Sequence, residues 1–252
     1  MSEARSMLGE AFQSAPGVLV LSASRLRRFR ECKQRYHLEF LLGLRPDANV
    51  DPDVDRASGY GMQAHNELFL RHETPGRHDD LPVIEAGPYD ELVASAVRKH
   101  RNICPGQDGH EYLGGEIDLK WFLSLKLVLL TGRVDAVWRR DDGTIEVHDY
   151  KTGPVVEDID NDEGTLIYAL LAAATYPGSP LRIVYEYLGG EHPVEVGVAV
   201  TTDHLRRAQS LILATAEQIR REQLFPPSPH LTHCRSCPYR NACPDAVVSA
   251  NQ

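Results

Sequence analysis

An α/β fold, with a mixed central sheet and helices on both sides, is the architecture this sequence predicts. Three observations carry it. Helical and strand-like stretches alternate in the order helix, helix, three-strand meander, helix, strand pair, helix. The meander is punctuated by Asp141-Asp142-Gly143, an Asp-Gly turn signal between two apolar strands. The length, 252 residues, suffices for one sizeable core, and no apolar run approaches the roughly 18 residues of a membrane span.

Each element has a local reason. Residues 1–20 read as an N-terminal tail. Ser22 and Ser24 are N-cap candidates for a helix from Ala23 to Leu42, whose Leu26, Phe29, Tyr36 and Phe40 recur at helical spacing. Gly43 and Pro46 supply its stop. An acidic loop, 47–55, precedes a helix from Ala57 to His72. A loop rich in Pro, Gly, His and Asp leads to a helix over Tyr89–Asn102, broken by Cys104-Pro-Gly. Strands are expected at Tyr112–Leu125, Lys126–Trp138 and Thr144–Lys151. An apolar helix, Leu166–Thr175, follows a second acidic stretch, 157–163. Arg182–Leu188 and Val194–Thr201 alternate as a strand pair joined through Gly189-Gly190. Thr202–Gln223 is a helix with Asp203 in its first turn, and Pro226-Pro227-Ser-Pro229 links it to a cysteine-rich end. The expected organisation is a tail (1–20), a single domain (21–244) and a short C-terminal tail (245–252).

The balance of 27 Lys+Arg against 36 Asp+Glu gives a formal charge of −9, which argues against a nucleic-acid partner if the charge is spread evenly. It is not spread evenly. Between Arg25 and Glu39 stand six basic residues, Arg25, Arg27, Arg28, Arg30, Lys33 and Arg35, against Glu31 and Glu39. Residues 1–16 lack the apolar core of a signal peptide, so a cytoplasmic location is expected.

Five cysteines and no export signal argue against a disulfide framework. Cys234, Cys237 and Cys243 form a C-x2-C-x5-C pattern, in which one tight turn presents two thiolates to a common centre. A tetrahedral zinc or a cubane cluster wants a fourth ligand, for which Cys32, Cys104, His230 and His233 are candidates. The spacing does not choose between zinc and iron–sulfur.

Chemistry is suggested by two strands. Asp149 and Lys151 share one face by the period of two, and Asp135 in Gly132-Arg-Val-Asp135 lies on the neighbouring strand. If Asp135 faces them, two carboxylates and the backbone carbonyl of Tyr150 suit Mg2+, with Lys151 placed to orient water and stabilise charge. His65, one turn after Gly61, would complete the shell and admit Mn2+; Gly61 would let its helix approach the sheet closely.

These pieces, taken in order, resemble the RecB-like branch of the PD-(D/E)XK nuclease superfamily. Within it they are similar to the iron–sulfur subset that includes CRISPR-associated RecB-like exonucleases and AddB-type nuclease domains. The resemblance rests on the Cys32 helix that closes with Leu41-Leu-Gly43-Leu, on Gly61-Met-Gln-Ala-His65, Gly132-Arg-Val-Asp135 and Asp149-Tyr-Lys151-Thr-Gly153, and on the cysteine triplet. It implies a restriction-endonuclease-like core whose N- and C-terminal segments are joined by a cysteine-ligated cluster. It implies His65, Asp135 and Asp149 as ligands of Mg2+ or Mn2+, Lys151 as the catalytic lysine, and Cys32, Cys234, Cys237 and Cys243 around a [4Fe-4S] cluster. The implied activity is hydrolysis of DNA, at single strands or duplex ends, in repair, recombination or CRISPR-type processing, with a protein of such a pathway as a possible partner. Arg25, Arg27, Arg28, Arg30 and Tyr168 are then expected to meet DNA. The pattern departs from the family at Gly164, where a Gln is usual, and Glu116 stands where the family often has Glu. Two other readings compete: a DNA-binding module with a degenerate site, and a zinc-ribbon interaction protein. Cys104 is left over from the ligand set that the resemblance implies.

Overall fold

The computed structural model describes residues 17–46, 52–73 and 89–247. Of the acidic loop expected over 47–55, residues 47–51 fall outside that set and residues 52–55 already belong to a helix that starts at Pro52 rather than Ala57; the loop after His72 and most of the N-terminal tail also fall largely outside it. The elements run β1 (Leu19–Leu21), α1 (Ala23–Glu31), α2 (Lys33–Tyr36, continuing as a π-helical turn over His37–Leu41), α3 (Pro52–Glu73), α4 (Asp90–Arg101), β2 (Glu111–Leu123), β3 (Val128–Arg139), β4 (Ile145–Lys151), α5 (Glu163–Thr175), β5 (Leu181–Tyr187), β6 (Val194–Ala199), α6 (Thr202–Arg221) and α7 (Leu231–Arg235). The expected meander, apolar helix, strand pair and long helix are all present.

Six strands form one mixed sheet in the order β1-β3-β4-β5-β6, with β2 also on β3. β2 pairs antiparallel along nearly all of β3. The other edge of β3 is shared: β1 takes Val128–Leu130 in parallel and β4 takes Ala136–Arg139 antiparallel. Residues 131–135 of β3 therefore have no strand on that edge. β4 continues past this gap on β5, in parallel, as far as Lys151↔Tyr187. The splay between β3 and β4 is where the functional side chains gather.

Helices cover both sides. One apolar cluster packs Leu26, Phe29 and Tyr36, Ile167 and Leu171 of α5, and Ile212 and Ala216 of α6 against Leu130, Val134, Val147 and Ile183. A second packs Ala64 and Leu68 of α3, Ala96 of α4 and Cys104 against Ala136, Trp138 and Tyr150. Val134 and Ala136 are two residues apart yet belong to different clusters, so β3 changes face at Asp135.

Two expectations need correction. The single helix predicted over Ala23–Leu42 breaks at Cys32, whose backbone is extended (φ −159°, ψ 109°). Cys32 closes α1 through its N–H on the Arg28 carbonyl and opens α2 with its sulfur 3.5 Å from the Arg35 amide. Periodicity carries through such a break because the apolar stripe is intact on both sides. The tail predicted over 1–20 ends early: Leu19–Leu21 is a strand, and Leu21 is fully buried. The expected cap is Ser22, which accepts the Arg25 amide at 3.3 Å, and the expected stop is Gly43, at φ +61°, where a side chain would strain the backbone.

Candidate active site

The period of two on β4 places Asp149 and Lys151 on one face. The Lys151 ammonium is ion-paired with Asp149 Oδ2 and lies 5.2 Å from the centroid of the Tyr185 ring. The Asp149 side chain is almost wholly buried, whereas that of Lys151 is 42% exposed. The other carboxylate oxygen, Oδ1, accepts a 3.0 Å hydrogen bond from the Tyr168 hydroxyl. Burial, with the charge of Asp135 adding to it, raises the Asp149 carboxyl above its ordinary range against the pull of Lys151.

Asp135 reaches into the gap beside β4. Its Oδ2 accepts the Tyr150 amide at 2.5 Å, and its Oδ1 lies 3.0 Å from His65 Nδ1. Burial disfavours the His65 imidazolium, but the hydrogen bond and charge of Asp135 outweigh it and the pKa lies above its usual value. Gly61 faces Thr152, yet a Cβ there would sit 3.4 Å from Thr152 Oγ1, an ordinary contact. The expectation that Gly61 is needed for close approach is therefore not met.

Glu116 of β2 joins the group. The β2–β3 register passes from Ile117↔Val134 to Gly115↔Ala136, which leaves Glu116 opposite Asp135. Its backbone is left-handed (φ +48°), uncommon for glutamate. Carboxylate oxygens of Glu116 and Asp135 and a nitrogen of His65 all lie within 4.8 Å of one another. Burial and the charge of Asp135 raise the Glu116 carboxyl. A strand kink of this kind has no signature in a period-two pattern, so the sequence showed a Glu without showing where it points.

This donor set fits a divalent cation. Carboxylates held close together, two of them with raised pKa values, are relieved by a cation between them, and imidazole beside carboxylate suits Mn2+ as well as Mg2+.

The residues expected to meet DNA are placed less uniformly. Arg25 is turned inward: its guanidinium lies 4.6 Å over the Phe40 ring and donates to the Val20 carbonyl at 3.2 Å. Arg28 pairs with Glu31 and Glu39, Arg30 with Glu163, Lys33 with Glu222, and Arg35 with Glu39. Arg27 is exposed, and among the described residues no carboxylate is ion-paired with it. The basic count of this helix thus overstates the charge it offers a phosphate backbone. Tyr168 is also directed inward, its hydroxyl donating to Asp149 and to the Arg133 carbonyl at 3.1 Å. Tyr168→Phe removes both bonds and should lower turnover about tenfold while costing about 1 kcal/mol of stability, checked by paired kinetics and thermal melts. At Gly164, a Cβ would lie 2.8 Å from Asp162 Oδ2 and 2.9 Å from the Tyr185 hydroxyl. The space of the usual glutamine is thus crowded by a helix cap and a tyrosine.

Cys32, Cys234, Cys237 and Cys243 line one open cavity of about 490 Å³, counting the solvent at its mouth, with Arg35 and His233. All are free thiols. Among the described residues, the four do not supply three sulfurs within 4.8 Å of one another.

A family model described as the PD-(D/E)XK nuclease superfamily matches residues 20–244. No curated protein matches the chain. Among solved structures, the chain is similar to a "Putative exonuclease" from Eubacterium rectale, at 16% identity over 84% of this chain and 82% of that one, with a TM-score of 0.52. It also aligns with the crystal structure of SSO0001, at 13% identity over 98% of each chain and a TM-score of 0.43.

Proposed function

The chain belongs to the PD-(D/E)XK nuclease superfamily, and from that premise we propose that it is a metal-dependent deoxyribonuclease of the RecB-like branch, acting on single strands or duplex ends. The observation that carries this reading is the splay between β3 and β4, where His65, Asp135 and Glu116 cluster beside the Asp149–Lys151 pair, with Asp135 raising the Asp149 carboxyl. His65, Asp135, Asp149 and the Tyr150 carbonyl would hold Mg2+ or Mn2+, with Glu116 beside them. Such a cation supplies positive charge for a phosphate oxygen and a more acidic water.

The chain's own groups do the rest. The Tyr150 amide fixes one oxygen of Asp135 and leaves the other toward His65. Tyr168 fixes one oxygen of Asp149 and leaves the other toward Lys151. Lys151 reaches both solvent and the Asp149 carboxylate. Its ammonium is positioned to orient an attacking water and to stabilise negative charge as the phosphorus–oxygen bond to the leaving strand breaks. Arg27, rather than the whole basic strip, is the side chain of α1 best placed to meet the substrate backbone.

The test is cleavage of 5′- and 3′-labelled single- and double-stranded oligonucleotides with Mn2+ or Mg2+, and with EDTA. Metal-dependent shortening of DNA is expected. Binding without cleavage under every metal would replace this reading with that of a degenerate DNA-binding module.

The cysteine cavity supports a second assignment, the [4Fe-4S] cluster of the iron–sulfur subset. What supports it is the lining that Cys32, from the start of the fold, shares with Cys234, Cys237 and Cys243 from its end. An anaerobic preparation is expected to be brown and to lose its iron on Cys237→Ser. A colourless preparation with stoichiometric zinc lost by the same variant would reverse the assignment.

A further inference from the structure

Cys104, His100 and His72 belong to neither the carboxylate site nor the cysteine cavity. His72 is in the last turn of α3, two helical turns beyond His65. His100 is near the end of α4, and Cys104 follows it in the loop that packs on β3. Their ligand atoms all lie within 4.8 Å of one another. His72 Nε2 and His100 Nε2 are 2.9 Å apart in a mutual hydrogen bond, with the ring planes at 89°. The Tyr150 hydroxyl lies 3.4 Å from the same His72 nitrogen. From these positions we propose a second metal site, a structural Zn2+ held by His72, His100 and Cys104, with the Tyr150 hydroxyl as fourth ligand.

The surroundings are those a zinc site requires. His100 is 2% exposed, and its other nitrogen, Nδ1, lies 2.6 Å from Glu186 Oε2. A carboxylate on the far side of a ligating imidazole fixes its orientation and tautomer. Glu186 is itself held by His148 Nδ1 at 2.6 Å. The rings of Tyr112 and Trp138 close on His72 at 5.1 and 5.2 Å, which limits water. Imidazole with thiolate suits zinc rather than Mg2+ or Ca2+. Zinc bonds of about 2.0–2.3 Å in a tetrahedron put neighbouring ligand atoms about 3.3–3.6 Å apart. The two nitrogens need to open by only a few tenths of an ångström. Binding would displace the Cys104 thiol proton and the proton shared between the imidazoles, both to solvent. The ion would tie α3 and α4 to the back of β4, behind the strand whose front carries Asp149 and Lys151.

The experiment loads the chelator-stripped full chain with zinc alone and measures retained metal, the shift in Tm, and the zinc X-ray absorption edge region. The wild type is expected to keep a zinc ion whose shell holds imidazoles and a single sulfur, and to melt at a higher temperature with it. Cys104→Ser and His72→Gln should lose both that ion and the shift, while Cys237→Ser keeps them. Circular dichroism of Cys104→Ser, a near-isosteric change, guards against misfolding, with Cys104→Ala as the second variant. Zinc content and Tm shift unchanged in Cys104→Ser and His72→Gln, or abolished only by Cys237→Ser, would overturn the site.

Discussion

Asp149→Asn is expected to cut DNA hydrolysis by at least about 10³-fold while leaving the melting temperature equal to or above that of the wild type. The two halves of this outcome have one cause. Asp149 is buried beside Asp135, and burial together with that second carboxylate works against its charge. Removing the charge relieves the folded state and removes a metal ligand at once, the trade of stability for function expected where a charge is kept for chemistry. Its partner Lys151 is 42% exposed and can be hydrated when the carboxylate is gone. Lys151→Ala should also lose cleavage, by about 10²–10³-fold as for loss of one charge-stabilising donor. It should not gain stability, because Asp149 then keeps its burial and loses its counter-charge. A pair of purely structural value behaves otherwise: breaking a buried ion pair costs about 3–5 kcal/mol from either side. Thermal melts alongside turnover on a labelled oligonucleotide separate the cases. Wild-type-level cleavage by Asp149→Asn would end the assignment of this carboxylate.

Much of this site was legible in the sequence because strand and helix periods report facing directly. Asp149 and Lys151 share a face for the reason the period of two gives, and the Asp142-Gly143 turn pairs β4 with β3 as expected. What stayed hidden depends on departures from those periods. β3 switches faces at Asp135, and Glu116 adopts a left-handed backbone opposite it, so no alternation rule could place either carboxylate. The break at Cys32 is invisible because α1 and α2 bury the same kind of residue, Phe29 and Tyr36, which meet edge-on at 5.3 Å. The basic strip failed as a charge count for another reason. Glu163 and Glu222, which pair with Arg30 and Lys33, lie more than a hundred residues away and reach them only through the fold. His72 was likewise assigned nothing, and Cys104 was only one of four candidates for a different centre, since a contact between a loop and two helix ends has no local pattern.

Gly189→Ala is expected to be as damaging to activity as a change in the catalytic face, though Gly189 carries no chemistry. A Cβ at Gly189 would lie 2.0 Å from the Thr152 carbonyl oxygen and 2.7 Å from its carbon. Both atoms are backbone, so no side-chain rotation makes room. The strands are drawn together there by the Leu188 amide, which donates to the Lys151 carbonyl at 2.7 Å. A methyl group must force the ends of β4 and β5 apart, weaken that bond and carry Lys151 away from Asp149. Overpacking of this kind costs about 1–3 kcal/mol, and a displacement of about 1 Å at a reacting group costs about 10²-fold in rate. Gly61→Ala is the control, because it approaches the same Thr152 from α3 but leaves 3.4 Å to the side-chain oxygen. There the gain in helix propensity, about 0.5–1 kcal/mol, should raise the melting temperature and leave cleavage intact. The pair isolates backbone position as the variable: one methyl added on each side of a single threonine, with opposite effects on stability and only one effect on rate. Equal melting temperatures and equal rates for Gly189→Ala and the wild type would show that the Lys151–Thr152 backbone tolerates displacement, and that the lysine does not depend on β5 for its position.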